Sequence, residues 1–503
     1  MKILLANPFV KYKINNKYEK YYIRSGSRWP HTGIKAAGTI PHYLPFPFFL
    51  AYSASLLKNK GFEVHVLDAV AMDLSEEEFL KRIENIKPHL IFYEVTTPTS
   101  RYDLALAVKL KKMFPGIVVI LGGPHATTFS YQILKDTNAV DFVLKGEYEF
   151  SLLGLAESIE DDKDSFPAGV VYKEKDKIID NGRIPLIEPL DLLPPPARDI
   201  FPSNDYSNPT IYWDGFCQSF PAIQMHSSRG CPYRCYFCLW NQVIYDNGRY
   251  RTFTPNRVVD EMEEAVYKYR AREVYFDDDD FTISSAHVNG ICDEIIKRRL
   301  SVKWSCMADA INLNEQIIKK MTQSGCIGLK FGVESGSSRI LQNVGKTVNL
   351  EKVNEIVRLC ERFDIKSHAT FTLGLLGETM EDVKETMGFA QSLCVDSIQV
   401  SIATPFPGTE FFNIAEKEGF LRTKDWMLYD GKASEVVSYP SLDWKGVEKI
   451  RRNGLRNWFL RILFSPSRLL RQFHLFIRTL KGIGGRLFIE KLVSVIIDES
   501  KNR

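Results

Sequence analysis

Cys231, Cys235 and Cys238 stand inside the run Ser227-Ser-Arg-Gly-Cys-Pro-Tyr-Arg-Cys-Tyr-Phe-Cys238, with the spacing C-x3-C-x2-C. Thiolates are metal ligands, and three of them on one short loop make an incomplete set. Iron–sulfur clusters are ordinarily held by four thiolates. Three leave one iron of a [4Fe-4S] cluster without a protein ligand, open to a substrate or a second cofactor. Zinc is the first alternative, but zinc sites usually close four ligands in paired knuckles, and no second cysteine pair lies nearby. Three unrelated thiols are the second alternative.

Taken whole, the string resembles the radical S-adenosylmethionine (SAM) superfamily. The resemblance implies that Cys231, Cys235 and Cys238 hold a [4Fe-4S] cluster whose open iron chelates the methionine end of SAM. Tyr275-Phe-Asp-Asp-Asp-Asp-Phe-Thr282 falls where the family holds the SAM amino group, which implies Asp278 and Asp280 as its partners through charge and hydrogen bonding. A solvated acidic turn is the plainer reading of the same carboxylates. Phe331-Gly-Val-Glu-Ser-Gly336 is similar to the family's Gly-x-Glu-Ser-Gly stretch, which implies Glu334, with Ser335 beside it, on the ribose hydroxyls. Phe237, like Tyr236, lies between cluster ligands, where the family places an aromatic ring beside the adenine; packing of a core ring is the alternative.

Two departures accompany these matches. Thr372-Leu-Gly-Leu-Leu-Gly-Glu378 resembles the family's Gly-x-Pro-Gly-Glu segment with Leu376 in place of the proline. Met307, Ala308 and Asp309 follow Trp304 where relatives often show an arginine. Thr404-Pro-Phe-Pro-Gly-Thr-Glu410 has the form common to cobalamin-linked members.

The elements that must position these residues are legible in the apolar periodicity. Strands are expected at 222–226, 273–277, 302–306, 327–333, 367–373 and 397–402. Helices are expected between them at 255–269, 286–298, 314–324, 350–363 and 380–393. Six units fit a partial (β/α)6 barrel of the radical SAM type. The cysteine loop follows the first strand, at the carboxyl end where barrel chemistry belongs.

A second β/α alternation occupies the first third. Strands are expected at 2–6, 63–67, 89–94, 117–121 and 141–144, and helices at 46–58, 75–86, 101–113, 128–135 and 147–158. The fold class is therefore α/β: a doubly wound, Rossmann-like parallel sheet, then the barrel, then a helical extension. Doubly wound sheets bind ligands beyond their carboxyl ends. Tyr43-Leu-Pro-Phe-Pro-Phe-Phe-Leu-Ala-Tyr52, Leu67-Asp-Ala69, Gly122-Gly-Pro-His-Ala-Thr127 and Lys145-Gly-Glu147 follow in the register of the cobalamin-binding domain that precedes many radical SAM domains. The resemblance covers about residues 1–160. It implies cobalamin contacts from Asn7, Pro8, Thr97, Gly122, Gly123, Pro124, His125, Gly146 and Glu147. No Asp-x-His-x-x-Gly string occurs, and neither His65 nor His125 has its context, so cobalamin would bind without a histidine from the protein. A scaffold that has lost its cofactor is the alternative. Residues 15–39, with Tyr21, Tyr22, Arg24, Arg28 and Trp29, are long for a βα connection; they read as a cap over cofactor or substrate, or as a surface loop.

The 503 residues divide at composition shifts into 1–160 (cobalamin-binding-like), 161–205 (a linker with a hairpin at 169–172 and 177–180), 206–440 (barrel) and 441–503 (a basic helical extension). A net charge of +3 is too small to argue for nucleic acid. Nine cysteines, odd in number and without a disulfide framework, point to a reducing, cytoplasmic setting. From residue 445 onward fourteen Lys or Arg face four Asp or Glu, with apolar stripes at 460–464, 469–480 and 487–497. Such a segment suits peripheral contact with an anionic membrane, or a helical cap on the barrel.

The resemblance implies reductive cleavage of SAM, hydrogen abstraction by a 5′-deoxyadenosyl radical, and cobalamin as methyl carrier. The function expected is C-methylation of an unactivated carbon in a small-molecule, lipid-like or natural-product substrate. Flavodoxin or ferredoxin is the expected type of one-electron donor. A ring-forming or rearranging enzyme of the anaerobic protoporphyrin ester cyclase type is the alternative. A cobalamin- or SAM-binding protein without turnover is a second. A methylthiotransferase is disfavoured because no cysteine precedes Cys217.

Overall fold

The run Lys2-Ile-Leu-Leu-Ala-Asn7 is apolar toward both faces, as a strand covered on both sides must be. It forms β1 (Lys2–Asn7), buried from Ile3 onward. The computed structural model describes residues 1–26, 28, 30–37, 39, 44–431 and 436–485. Parallel to β1 run β2 (Glu63–Asp68), β3 (Leu90–Glu94), β4 (Val118–Gly122) and β5 (Phe142–Leu144), in the order β5-β4-β3-β1-β2. The winding reverses between β1 and β3, so the crevice beyond their carboxyl ends is the switch point where such sheets take a ligand. Local signals set the intervening helices: Glu76–Ile86 opens on a Ser75–Glu78 capping box and closes at Lys87 with φ +52°.

The stretch 161–205 does more than connect. β6 (Val170–Glu174) and β7 (Lys177–Asp180) form the anticipated hairpin and extend the sheet antiparallel beyond β5. β8 (Pro202–Ser203) and β9 (Tyr206–Ser207) cover the opposite edge beside β2. The β5 edge is thus paired along β6, while the β2 edge is met at Ser203 and by the Asn204 side chain on Val64 and Val66.

The stretch 15–39, expected as a cap or a loop, falls mostly within an antiparallel sheet of Lys11–Asn15, Tyr18–Ile23 and His31–Ala36. It lies against both halves of the molecule. Arg24 bonds Asp103 at 2.6 Å and the Glu94 carbonyl at 2.7 Å, at the carboxyl end of β3. Lys20 and Thr32 reach Asp430 at 3.2 and 3.0 Å, on the barrel side. Trp29 and Tyr43 lie outside the described residues.

The barrel strands are β10 (Ala222–Met225), β11 (Glu273–Phe276), β12 (Lys303–Ala308), β13 (Cys326–Glu334), β14 (Lys366–Leu373) and β15 (Ser397–Ile402). All are parallel and neighbours in chain order. The sheet is open, with β10 and β15 as its edges. The outer helices are amphipathic in the usual period: Leu350–Arg362 buries Val353, Ile356, Val357 and Cys360. One apolar core runs from β1 through Phe46, Phe48 and Phe49 into the barrel. A second fills the other face of the first sheet.

Two helices end the described chain. Trp444–Leu463 packs so closely on Met380–Ser392 that a Cβ on Gly454 would stand 2.4 Å from Met387 Cε. Pro466–Ile483 crosses the amino ends of the barrel strands, where Arg471 holds Asp396 at 2.6 Å. The apolar stripe expected at 487–497 lies outside the described residues.

Candidate functional site

The cysteine loop leaves β10 at its carboxyl end. Ser228–Arg229 pairs with Arg251–Thr252, and Gly230 then turns at φ +84°, where a Cβ would meet the Arg249 carbonyl at 2.5 Å. Cys231 and Cys238 are partly exposed and Cys235 is buried. Burial pushes each thiol up to about 12, so a bound cation is what would hold them as thiolates. Among the described residues no three His, Cys, Asp or Glu side chains gather as a ligand set for a single metal ion. A cluster asks for something else: its thiolates stand on separate iron corners, so three thiols spread along one loop fit it.

Two side chains outside the cysteine motif fix the loop's backbone. Gln242, within the π-turn Trp240–Ile244, donates to the carbonyls of Cys235, Tyr236 and Cys238 at 3.0–3.1 Å. Its oxygen accepts from the Glu410 N–H at 2.8 Å, tying the loop to the segment after β15. Asn241 bonds the Tyr233 carbonyl at 2.9 Å. Neither residue was singled out in the sequence, where a lone amide side chain carries no periodic signal; the π-turn, a frequent companion of functional sites, exists only in the fold.

The four aspartates after β11 divide their work. Asp278 accepts from the N–H and hydroxyl groups of both Ser227 and Ser228, and it has no exposed surface. It braces the turn into the cysteine loop, both of its oxygens being taken up by these serines. Asp279 accepts from the Gly230 N–H at 2.9 Å. Arg28, from the segment after Tyr18–Ile23, pairs with Asp277 at 2.9 Å and lies 3.8 Å from Asp279. Asp280 has one oxygen on Thr282, and burial, with Asp309 nearby, pushes it up to about 7.

At the end of β13, Glu334 holds φ +68°, an uncommon conformation for a side chain of this size. Its carboxylate accepts from Thr372 at 2.8 Å, and burial raises its pKa. Gly332 leaves it room, since a Cβ there would stand 2.8 Å from Oε1. Ser335 turns away: its hydroxyl bonds Thr386 at 2.9 Å, in helix Met380–Ser392. Ser335, expected beside the ribose, thus frames the site through Thr386 and the Ser337 N–H. Phe237 is partly buried against the core.

Lys346 joins these groups. Its Nζ lies 3.7 Å from Asp309 Oδ2, a buried oxygen with no hydrogen-bond partner among the described residues, and 6.0 Å from the Tyr233 ring centre. Burial would lower its pKa, but Cys235, Asp309 and Glu334 outweigh it and raise it. The turn that carries it is bonded to the cysteine loop: Tyr236 N–H donates to the Val344 carbonyl at 2.9 Å, and Cys235 Sγ lies 3.8 Å from the Gly345 oxygen. A single lysine in a loop gave no signal in the sequence.

The residues expected to contact cobalamin fall into two groups. Asn7, Thr97, Gly123 and His125 gather at the carboxyl ends of β1, β3 and β4, with Pro8 and Pro124 beside them and Gly122 closing β4. Asn7 donates to Asp68 at 3.0 Å, while its Oδ1 is buried without a hydrogen-bond partner among the described residues. An orphaned acceptor at the switch point fits a ligand that brings amide donors. His125 Nδ1 lies 3.4 Å from Thr97 Oγ1, and burial lowers its pKa to about 3, so the ring is neutral. Gly146, at φ +69°, lies after β5 against the Ile244 carbonyl.

Glu147 does something different. Fully buried, it takes Arg251 at 2.7 Å and Arg229 at 3.3 Å, both from the arms flanking the cysteine loop, and it accepts from the Ile187 N–H. Arg229 also lies 2.7 Å from the buried Glu149 and over the rings of Phe49 and Tyr52. Glu147, expected as a cobalamin contact, is an ionic link between the first domain and the arms of the cysteine loop. The residue immediately before Gly230 and Cys231 is anchored in the first domain.

Residues 225–390 match the Radical SAM superfamily and residues 37–155 the B12 binding domain. The uncharacterized methyltransferase PH0819 of Pyrococcus horikoshii is 28% identical over 417 residues, covering 82% of this chain and 88% of its own. The anaerobic magnesium-protoporphyrin IX monomethyl ester cyclase of Rubrivivax gelatinosus is 28% identical over 398 residues, covering 76% and 67%. The fold is that of the radical S-adenosylmethionine methyltransferase TsrM from Kitasatospora setae with cobalamin and [4Fe-4S] cluster bound, at TM-score 0.67 and 17% identity over 100% of both chains. Two matched domains in this order, with the cysteine loop at the barrel's carboxyl end, place the chain among the cobalamin-dependent radical SAM enzymes, whose cofactors are a [4Fe-4S] cluster, SAM and cobalamin.

Proposed function

We propose that the chain transfers a methyl group from SAM to a carbon of a lipid-like or natural-product small molecule. One observation carries the reading: the cysteine loop and the cobalamin-side sheet are locked together by Arg229 and Arg251 on Glu147 and Glu149. When bound, the cluster and cobalamin supply the electron that splits SAM and the carriage of its methyl group. The chain supplies position. Lys346 is suited to the SAM carboxylate and Asp280 to its amino group, each by charge. Glu334 offers a carboxylate to the ribose, and Phe237 a ring to the adenine. Asp278, Gln242 and Asn241 keep the loop in place while ligands exchange. Asn7, Thr97 and Gly123 offer the cobalamin its polar and close backbone contacts. A flavodoxin or ferredoxin suits the one-electron supply.

The second reading, ring formation or rearrangement, is favoured by one observation: the cyclase of Rubrivivax gelatinosus is as similar as the methyltransferase of Pyrococcus horikoshii, at 28% identity each. The test is anaerobic incubation of the reconstituted chain with reductant, a lipid and metabolite extract, and SAM bearing a deuterated methyl group. Label appearing on an organic product supports methylation. 5′-Deoxyadenosine formed with no labelled product contradicts it and favours the second reading.

A further inference from the structure

Single exposed apolar side chains are ordinary on a protein surface. A contiguous group of them is not. Around the turn between the two C-terminal helices, Phe459, Leu463, Phe464, Leu470, Phe473 and Phe476 are all exposed, with Phe464 at 82% and Leu470 at 69%. Phe473 and Phe476 stack with their ring planes 9° apart. The turn is an apolar tip.

A basic stripe leads to it. Lys445, Lys449, Arg452 and Arg456 are exposed and follow one another at steps of four, three and four, one line along helix Trp444–Leu463. The next steps of that line reach Phe459 and Leu463. Over Trp444–Ile483 there are ten Lys or Arg and one acidic residue, Glu448. Not all of these cations face outward. Arg468 donates to the Val395 carbonyl at 3.0 Å, Arg471 holds Asp396, and Arg478 holds Asp364 at 2.8 Å. They fasten the second helix to the barrel's amino end and leave its apolar side turned out.

We infer that this tip and stripe form a docking surface for an anionic phospholipid bilayer. The apolar tip enters the boundary between headgroups and acyl chains, and Lys445, Lys449, Arg452 and Arg456 lie on the headgroup phosphates. Both signals are present, as stable peripheral binding requires. No helix among the described residues is long and apolar enough to cross a membrane, so the contact is peripheral. The tip is fastened at the amino ends of β14 and β15, whereas the cysteine loop leaves the carboxyl end of β10. The contact is therefore an anchor that points the cluster away from the lipid, and it holds whether the reaction is methylation or cyclisation.

The test is co-sedimentation of the full chain with mixed phosphatidylglycerol/phosphatidylcholine vesicles and with phosphatidylcholine alone, at low and high salt. The chain should pellet with the mixed vesicles, and less so at high salt or on phosphatidylcholine alone. Phe464→Asp with Phe473→Asp, and separately Arg452→Glu with Arg456→Glu, should each weaken binding by about tenfold or more. Both pairs should retain the cluster absorbance, since neither touches the site. Failure to pellet with mixed vesicles, or equal pelleting of wild type and variants, would overturn the inference. So would a concentration-dependent dimer, seen by sedimentation equilibrium and abolished by the phenylalanine substitutions, because a second copy would then be the occupant.

Discussion

Asp309, Glu334 and Cys235 all act on Lys346. Replacing it with methionine keeps the stem and removes the charge. Lys346→Met should weaken SAM binding by about tenfold or more while leaving cluster absorbance intact, since a charge-assisted bond in a buried site is worth ~1.5–3 kcal/mol. Calorimetric titration with SAM checks this; unchanged affinity would remove Lys346 from the site. The aspartates should part company in the same assay. Asp280→Asn should weaken SAM binding with the loop intact, whereas Asp278→Asn should lower cluster loading, because Asp278 holds Ser227 and Ser228. Glu378 gives a pH signature. Burial pushes it up to about 8, against N–H donors from Gly374 and Leu375. An unfolded glutamate titrates near ~4.3, so between these values the folded chain holds a proton that the unfolded chain has released. The stabilisation is complete below the lower value and is lost as pH rises through the upper one. Glu378→Gln should flatten the fall in thermal midpoint between about pH 5 and pH 8.

Among the elements, the arms of the cysteine loop and the start of helix Glu149–Glu160 form a buried charge cluster. Glu147→Gln leaves Arg229 and Arg251 short of a counter-charge, and removal of one partner of a buried pair typically costs ~3–5 kcal/mol. Thermal unfolding of the apo chain should show a large drop in midpoint, beside a near-neutral exposed control such as Glu174→Gln. The three-stranded sheet of residues 11–36 offers a second test. Arg24 sits on the Glu94 carbonyl beside the switch point, where Asn7 and Thr97 are buried. Hydroxocobalamin bound at this switch point should change hydrogen exchange in Tyr18–Ile23; unchanged exchange would count against that seat.

The parallel strands were legible because each is an apolar run between turns, and the described ends differ from the expected ones by at most two residues. The sheet at residues 11–36 was not, because its strands are short and polar and their pairing depends on both domains. The same limit governs the site. Four consecutive aspartates look alike in a string, and only the path of the backbone after β11 decides that Asp278 turns to Ser227 while Asp280 turns to Thr282. Glu147 follows Gly146 at a strand end, where a cofactor contact is a fair expectation, but its arginine partners lie more than eighty residues away. Cys231, Cys235 and Cys238 stand out in the string itself, because the whole run Ser227–Cys238 carries the resemblance.

At the scale of the molecule, two parallel sheets present their carboxyl ends to shared connecting segments and share one apolar core. Helices Trp444–Leu463 and Pro466–Ile483 close the barrel's outer side and its amino end. This arrangement gives the cluster and cobalamin fixed stations on one chain, and the central claim is that the triad leaves an iron open to SAM. The most direct measurement is 5′-deoxyadenosine formed when the anaerobically reconstituted chain, loaded with hydroxocobalamin, meets SAM and a low-potential reductant. The account predicts 5′-deoxyadenosine from the wild-type chain and none from Cys235→Ala. Wild-type chain that forms none while binding zinc at the triad, or equal amounts from the variant, would contradict it.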